Sequence, residues 1–186
     1  MRVSDRDLWL LNFYRNSELH GALLMGRLAR TLSDTSLIAD ATRHCATEAH
    51  HAAILSGAIE SLQGTIDPRV KTVQEHYSEK GGVPAGIIDL LVLSEILEKR
   101  VLATYRAHVA RADVHPDVRK TLEAILEEMQ EEEHGEEGSW IEKALDRQPK
   151  DRVEAAEKKW KGVDATVANE LATMADAKFP ARGDAR

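Results

Sequence analysis

Four long amphipathic stretches of this chain each carry a glutamate in the middle of the apolar stripe, and that placement constrains the fold more than anything else in the sequence. In the first stretch, 5–32, Leu11, Tyr14, Glu18, Ala22, Met25, Ala29 and Leu32 recur at spacings of three and four. In the second, 35–62, the stripe reads Ala41, Cys45, Glu48, Ala52, Leu55, Ile59 and Leu62. In the third, 84–110, it reads Ile88, Leu91, Glu95, Glu98, Leu102, Tyr105 and Val109. The fourth, 116–147, holds Glu131 near its midpoint. Such spacing is one face of an α-helix, the face a helix buries. Glu48-x-x-His51 and Glu131-x-x-His134 each add an imidazole one turn after the acid.

The links between the stretches predict how they pack. Ser4 or Asp5 caps the first helix, and 33–36 is a short polar link that supplies the next cap, so helices one and two are antiparallel neighbours. Gly64 is placed to stop the second helix. From 63 to 83 the pattern breaks, with a short helix expected around 70–77, and this length suits a crossover spanning a bundle. Pro84 suits the first position of helix three, and Pro116 the start of helix four. The expected architecture is all-α: an antiparallel four-helix bundle over 1–148 with one long crossover between helices two and three. Residues 149–186 form an amphipathic helical tail that is not an independent domain. Two pieces are expected in it, one on Val153, Ala156 and Trp160, the other on Val163, Val167, Leu171 and Met174.

Antiparallel helices of similar length bring their midpoints to one height, so Glu18, Glu48, Glu95 and Glu131 fall in one layer with His51 and His134 beside them. Burying one unpaired carboxylate costs several kcal/mol, and four in one layer also repel each other. Either they protonate or cations sit among them, and two divalent metals supply the matching charge. Imidazole with carboxylate suits iron or manganese. The set Glu18, Glu48, His51, Glu95, Glu131 and His134 is therefore the expected metal shell.

In this order of ligands the chain resembles the ferritin-like superfamily of di-iron carboxylate proteins over about residues 5–146. Glu95-x-x-Glu98 is similar to the rubrerythrin-like branch, and that resemblance implies that Glu98 ligates one iron in a redox-dependent way. The chain departs from rubrerythrins in having no rubredoxin domain, and its one cysteine, Cys45, could not build one. The resemblance thus implies a di-iron oxidoreductase acting on O2 or H2O2, with two iron ions (or manganese, or a mixed pair) and a separate electron donor. The alternative is a ferroxidase with iron storage, which uses the same ligands in a hollow cage. A metal-free helical scaffold is the third reading.

Helix four raises a phase problem. Val118, Leu122, Ile125 and Met129 lie on the far side from Glu131 and His134 on a regular helix, at about 100° per residue. One extra residue within 127–131 would bring them together with Ile141 and Leu145, so a π-bulge is expected there. Around the site, His44 is expected to hydrogen-bond behind the ligands or to be simply half-buried, in either case without ligating, and His50 to face away. Tyr14 and Tyr105 fall in the stripe, where an electron relay is possible but packing with a satisfied hydroxyl is the reading taken.

The remaining partners follow from charge and surface. Of the residues, 31% are charged and 4% aromatic, and the formal net charge is −7, which argues against nucleic acid or an anionic membrane as a main partner. No signal-peptide layout or membrane-length apolar run is present, so a cytoplasmic location is expected. Helices one and three are apolar on a second side, through Trp9, Phe13, Leu23 and Leu24, and through Leu90, Leu97 and Val101. That second face implies contact with the tail or with another copy, and a homo-oligomer, a dimer favoured, is expected.

Overall fold

The first three helices of this chain begin where a side-chain oxygen takes an orphan backbone donor. The Ser4 hydroxyl accepts from the Asp7 N–H at the start of α1 (Asp5–Ala29). Asp34 accepts from the Ser36 and Leu37 N–H groups at the start of α2 (Thr35–Ser61). Thr72 and Glu75 form a reciprocal capping box at the start of α3 (Val73–Gly81). The chain continues through α4 (Ile87–Val109), α5 (Pro116–Glu133), α6 (Trp140–Asp146) and α7 (Lys150–Lys178). This computed structural model describes residues 2–133 and 139–180, apart from the side chains of 131–133. Among the described residues the chain is all-helical, with no strand, and no helix is long and apolar enough to cross a membrane.

The most extensive pairing is α1 with α2, joined by the short link at 30–34. α4 packs on α5 and α6, and α2 also meets α5 and α6. The core between them is built from the stripes: Leu11, Leu55, Ile59, Leu91, Val118, Leu122 and Ile125 are fully buried. At about 25 cal/mol per Å² of apolar surface, each such side chain contributes roughly 1.5–3 kcal/mol before chain entropy is counted.

The segment between α2 and α3 is stitched to α1 by buried polar side chains. Asn12 donates to the Thr65 carbonyl and accepts from the Asp67 N–H. Asn16 donates to the carbonyls of Asp67 and Val70. The Ser17 hydroxyl takes the Val73 N–H, and Gln74 donates to the Ser17 carbonyl. These bonds satisfy a backbone that has no helix of its own, and they hold α3 against α1.

Several boundaries differ from expectation, each for a physical reason. α2 is closed by Gln63, whose φ of 59° takes the left-handed position, rather than by Gly64. Gly64 is small for a different cause: a β-carbon there would stand 2.7 Å from Leu8 Cδ2. α4 starts after Gly86, so Pro84 lies ahead of the helix instead of at its first turn. The tail is one helix, α7, because Val153, Ala156, Trp160, Val163, Val167, Leu171 and Met174 form one unbroken stripe. It packs on α4 and α3, with Trp160 fully buried.

The π-bulge is absent. α5 is a regular α-helix through 127–133. Ser139 is extended at φ −61° and ψ 127° and caps α6, so α6 is a separate helix and not the end of a longer one. The change of phase between Met129 and Ile141 is therefore made by a break at Ser139 and not by an inserted residue, and a regular α5 counts against the register expected for Glu131 and His134.

Candidate metal centre

Three of the four seam glutamates meet at one cavity of about 480 Å³ between α1, α2 and α4. Glu18, Glu48, His51, Glu95 and Glu98 line it, together with His44, Met129 and Trp140. Glu131 lies within α5, but its side chain and all of His134 lie outside the described residues.

Glu18 is 7% exposed and is held by the Tyr105 hydroxyl, which donates to its Oε1 at 2.5 Å. Burial, and then the Glu18 charge, push the Tyr105 phenol well above its ordinary range, so it remains a donor. The other Glu18 oxygen, Oε2, lies 3.6 Å from His51 Nδ1. His51 Nε2 is 3.3 Å from Glu128 Oε2, an ion-pair distance whose alignment makes no hydrogen bond. Burial alone would lower the imidazole pKa, but the two carboxylates on either side outweigh it and the net shift is upward.

A second acid–imidazole group lies beside the first. His44 Nε2 is 3.1 Å from Glu48 Oε1 and 3.5 Å from Glu98 Oε1. The Trp140 indole N–H donates to His44 Nδ1 at 3.3 Å, which assigns the ring proton to Nε2 and makes His44 a donor to Glu48. The other Glu48 oxygen, Oε2, is buried and has no hydrogen-bond partner. Burial raises the Glu48 carboxyl pKa, against the opposing pull of His44. Glu95 is turned to Lys99, whose Nζ stands 2.6 Å from its Oε1.

The backbone makes room for this arrangement at one point. Gly21 on α1 faces Glu48 on α2, and any larger residue at 21 would occupy the space of the Glu48 carboxylate. Helix spacing does the rest, since Glu18 and Gly21 are one turn apart on α1, as are Glu48 and His51 on α2.

The structure thus brings Glu18 and Glu128 together across His51, and Glu48 and Glu98 together across His44. Among the described residues no three of His, Cys, Asp and Glu converge closely enough to bind one ion. In both groups an imidazole stands between two carboxylates. The donor chemistry still fits a metal: oxygen and imidazole ligands around a cavity, with Glu48 Oε2 and His51 Nε2 both buried without a hydrogen bond.

Glu128 is the residue the sequence reading missed. On the regular α5 it is one turn past the buried Ile125 and so borders the buried stripe. Taking the stripe without an inserted residue would have pointed to it. His50 is exposed and 3.9 Å from the same Glu128 oxygen.

Comparison with protein-family models, curated proteins and solved structures finds no match to this chain.

Proposed function

We propose that the chain is an oxidoreductase with a dinuclear metal centre, most simply two iron ions, in the cavity between α1, α2, α4 and α5. In this reading those four helices are a ferritin-like bundle, and the segment carrying α3 is its long crossover. The observation that carries the proposal is the Glu48 carboxylate: a buried oxygen without a partner, facing a cavity lined by four further acid and imidazole side chains of the expected set. A protein with no use for a cation there gains nothing from such a group, since an apolar residue of similar volume would be more stable.

Glu18, Glu48, His51, Glu95, Glu98, Glu131 and His134 would hold the metal ions, and Glu128 joins them as a candidate. Bound iron would supply two electrons for reduction of H2O2 or O2. The chain itself positions and insulates. Tyr105 fixes the Glu18 carboxylate, and Trp140 fixes the ring of His44 behind Glu48. Leu97, Val101 and Leu102 of α4 supply apolar wall to the cavity and limit the water within it. Glu95 would hold a metal ion by giving up Lys99, at the small cost of one exposed ion pair.

Anaerobic loading with Fe(II), followed by H2O2 or O2, tests the activity. Rapid oxidation of the bound iron, complete in one turnover, supports the oxidoreductase. Slow continued uptake of many irons per chain, with a scattering mass of a large shell, would instead indicate storage.

A further inference from the structure

A second buried network leads away from the cavity, and metal binding does not call for it. The rings of Tyr14 and Tyr105 meet edge to face, with centroids 4.6 Å apart. Tyr105 bonds Glu18, whereas the Tyr14 hydroxyl points the other way, 3.1 Å from His108 Nδ1. His108 Nε2 is 3.1 Å from Asp7 Oδ1, and Asp7 Oδ2 accepts the His115 N–H at 3.3 Å. All four residues of this network, Tyr105, Tyr14, His108 and Asp7, are at most 3% exposed.

The direction of each bond can be assigned. Asp7 is held below the usual carboxylate range: burial opposes this, but the bonds from His108 and the His115 backbone outweigh it. A carboxylate only accepts, so His108 carries a proton on Nε2, and as a neutral ring it presents a lone pair at Nδ1. Tyr14 must therefore donate to His108. A phenol aimed at a neutral imidazole that is backed by a carboxylate has a proton acceptor already in place.

On its other side Tyr14 is joined to the protein surface through rings. Phe13 lies edge-on to it at 5.7 Å, and Trp9 stacks on Phe13 at 6.1 Å with an interplanar angle of 16°. Trp9 is half-buried, at the outer end of this path.

We propose that Tyr14 is a one-electron relay station, connecting Trp9 at the surface to Tyr105 and Glu18 at the cavity, with His108 as the acceptor of its proton. A one-electron oxidant at the cavity takes an electron from Tyr14. The O–H bond breaks, and the proton moves to His108 Nδ1, leaving a neutral phenoxyl radical and an imidazolium paired with Asp7. An electron arriving by way of Trp9 from a one-electron donor in solution returns the proton to the phenol and restores the start. In the protein this role rests on the oxidoreductase reading, but the relay is a property of these side chains alone.

The test uses the full chain stripped of metal by chelation, so its outcome is independent of whether iron binds. Flash-generated tris(bipyridine)ruthenium(III) oxidises the surface, and transient absorption with freeze-trapped electron paramagnetic resonance identifies the radical. The wild type is expected to show a tryptophanyl signal that decays into a phenoxyl signal. Tyr14→Phe, which removes one hydroxyl, should lose the phenoxyl and prolong the tryptophanyl, while Tyr77→Phe should keep both. His108→Gln, with helicity confirmed by circular dichroism, should also lose the phenoxyl although Tyr14 is present. A phenoxyl signal undiminished in Tyr14→Phe, or one undiminished in His108→Gln, overturns the proposal, as does its absence from the wild type.

Discussion

A β-carbon on Gly21 would lie 2.0 Å from Glu48 Oε2 and 2.6 Å from Glu48 Cδ, so the α1–α2 contact is open at that position for a carboxylate. The displaced atoms are the end of a flexible side chain, which can swing aside at small cost. Gly21→Ala also gains about 1 kcal/mol of helix propensity. The expected result is a variant whose urea unfolding free energy stays within about 1 kcal/mol of wild type. Its metal affinity should nevertheless fall by about tenfold or more, because Glu48 has been moved. Equal metal affinity in Gly21→Ala and wild type would show that the close approach is only packing.

Glu48→Gln probes the same group from the other side. The amide keeps the shape and removes a buried charge that burial disfavours. In metal-free protein the variant should be as stable as wild type, or more so by about 1 kcal/mol, as seen when buried charges are neutralised. Metal binding should be lost. Denaturant titration with and without metal separates these two effects, and a destabilisation of the metal-free variant by several kcal/mol would contradict the reading of Glu48 as a strained acid.

Most of the helical framework was legible in the sequence because it depends on local pattern. The stripes around Glu18, Glu48 and Glu95 gave three helices to within a few residues, and Ser4, one of two candidates, and the link at 33–36 gave the caps of the first two. The facing of Glu18, His51, Glu48 and Glu95 on one cavity followed from matching helix midpoints. What failed was the continuity of helix four. Periodicity shows that Met129 and Ile141 differ in phase, but not whether a bulge or a break produces the difference. With a break, α5 stays regular and Glu128 reaches His51. The i,i+4 pairing of Glu95 with Lys99 was legible and overlooked, whereas the triad of Tyr14, His108 and Asp7 lay beyond a one-dimensional reading, since Tyr14 and Asp7 meet a residue about a hundred positions away.

Asp7 makes a pH prediction. Its folded pKa is lowered from 3.8, so the stability it contributes is fully present above that value and is lost as the pH falls through the folded one. At pH 7, Asp7→Asn should cost about 2 kcal/mol, the scale of a hydrogen bond to a charged group. The difference from wild type should shrink steadily below about pH 4. Urea midpoints of both proteins from pH 7 to pH 3 provide the check; curves that stay parallel throughout would remove Asp7 as the titrating group.

The tail is predicted to be part of the fold. Trp160 is fully buried, and α7 packs on α4 and α3, aided by Arg100 and Tyr77, both hydrogen-bonded to Asp164. Trp160→Ala should cost about 3–5 kcal/mol and lower the melting temperature of the whole chain in a single transition. A separate low-temperature transition confined to the tail would mean that α7 is an appendage.

The central claim is that the cavity exists to hold cations, and equilibrium metal binding tests it most directly. Anaerobic Fe(II) titration of the metal-free chain, with metal analysis after gel filtration, should saturate at about two ions per chain. Glu48→Gln and His51→Ala should each abolish that stoichiometry. Retention of no metal by the wild type, or binding left unchanged by both substitutions, would contradict the account.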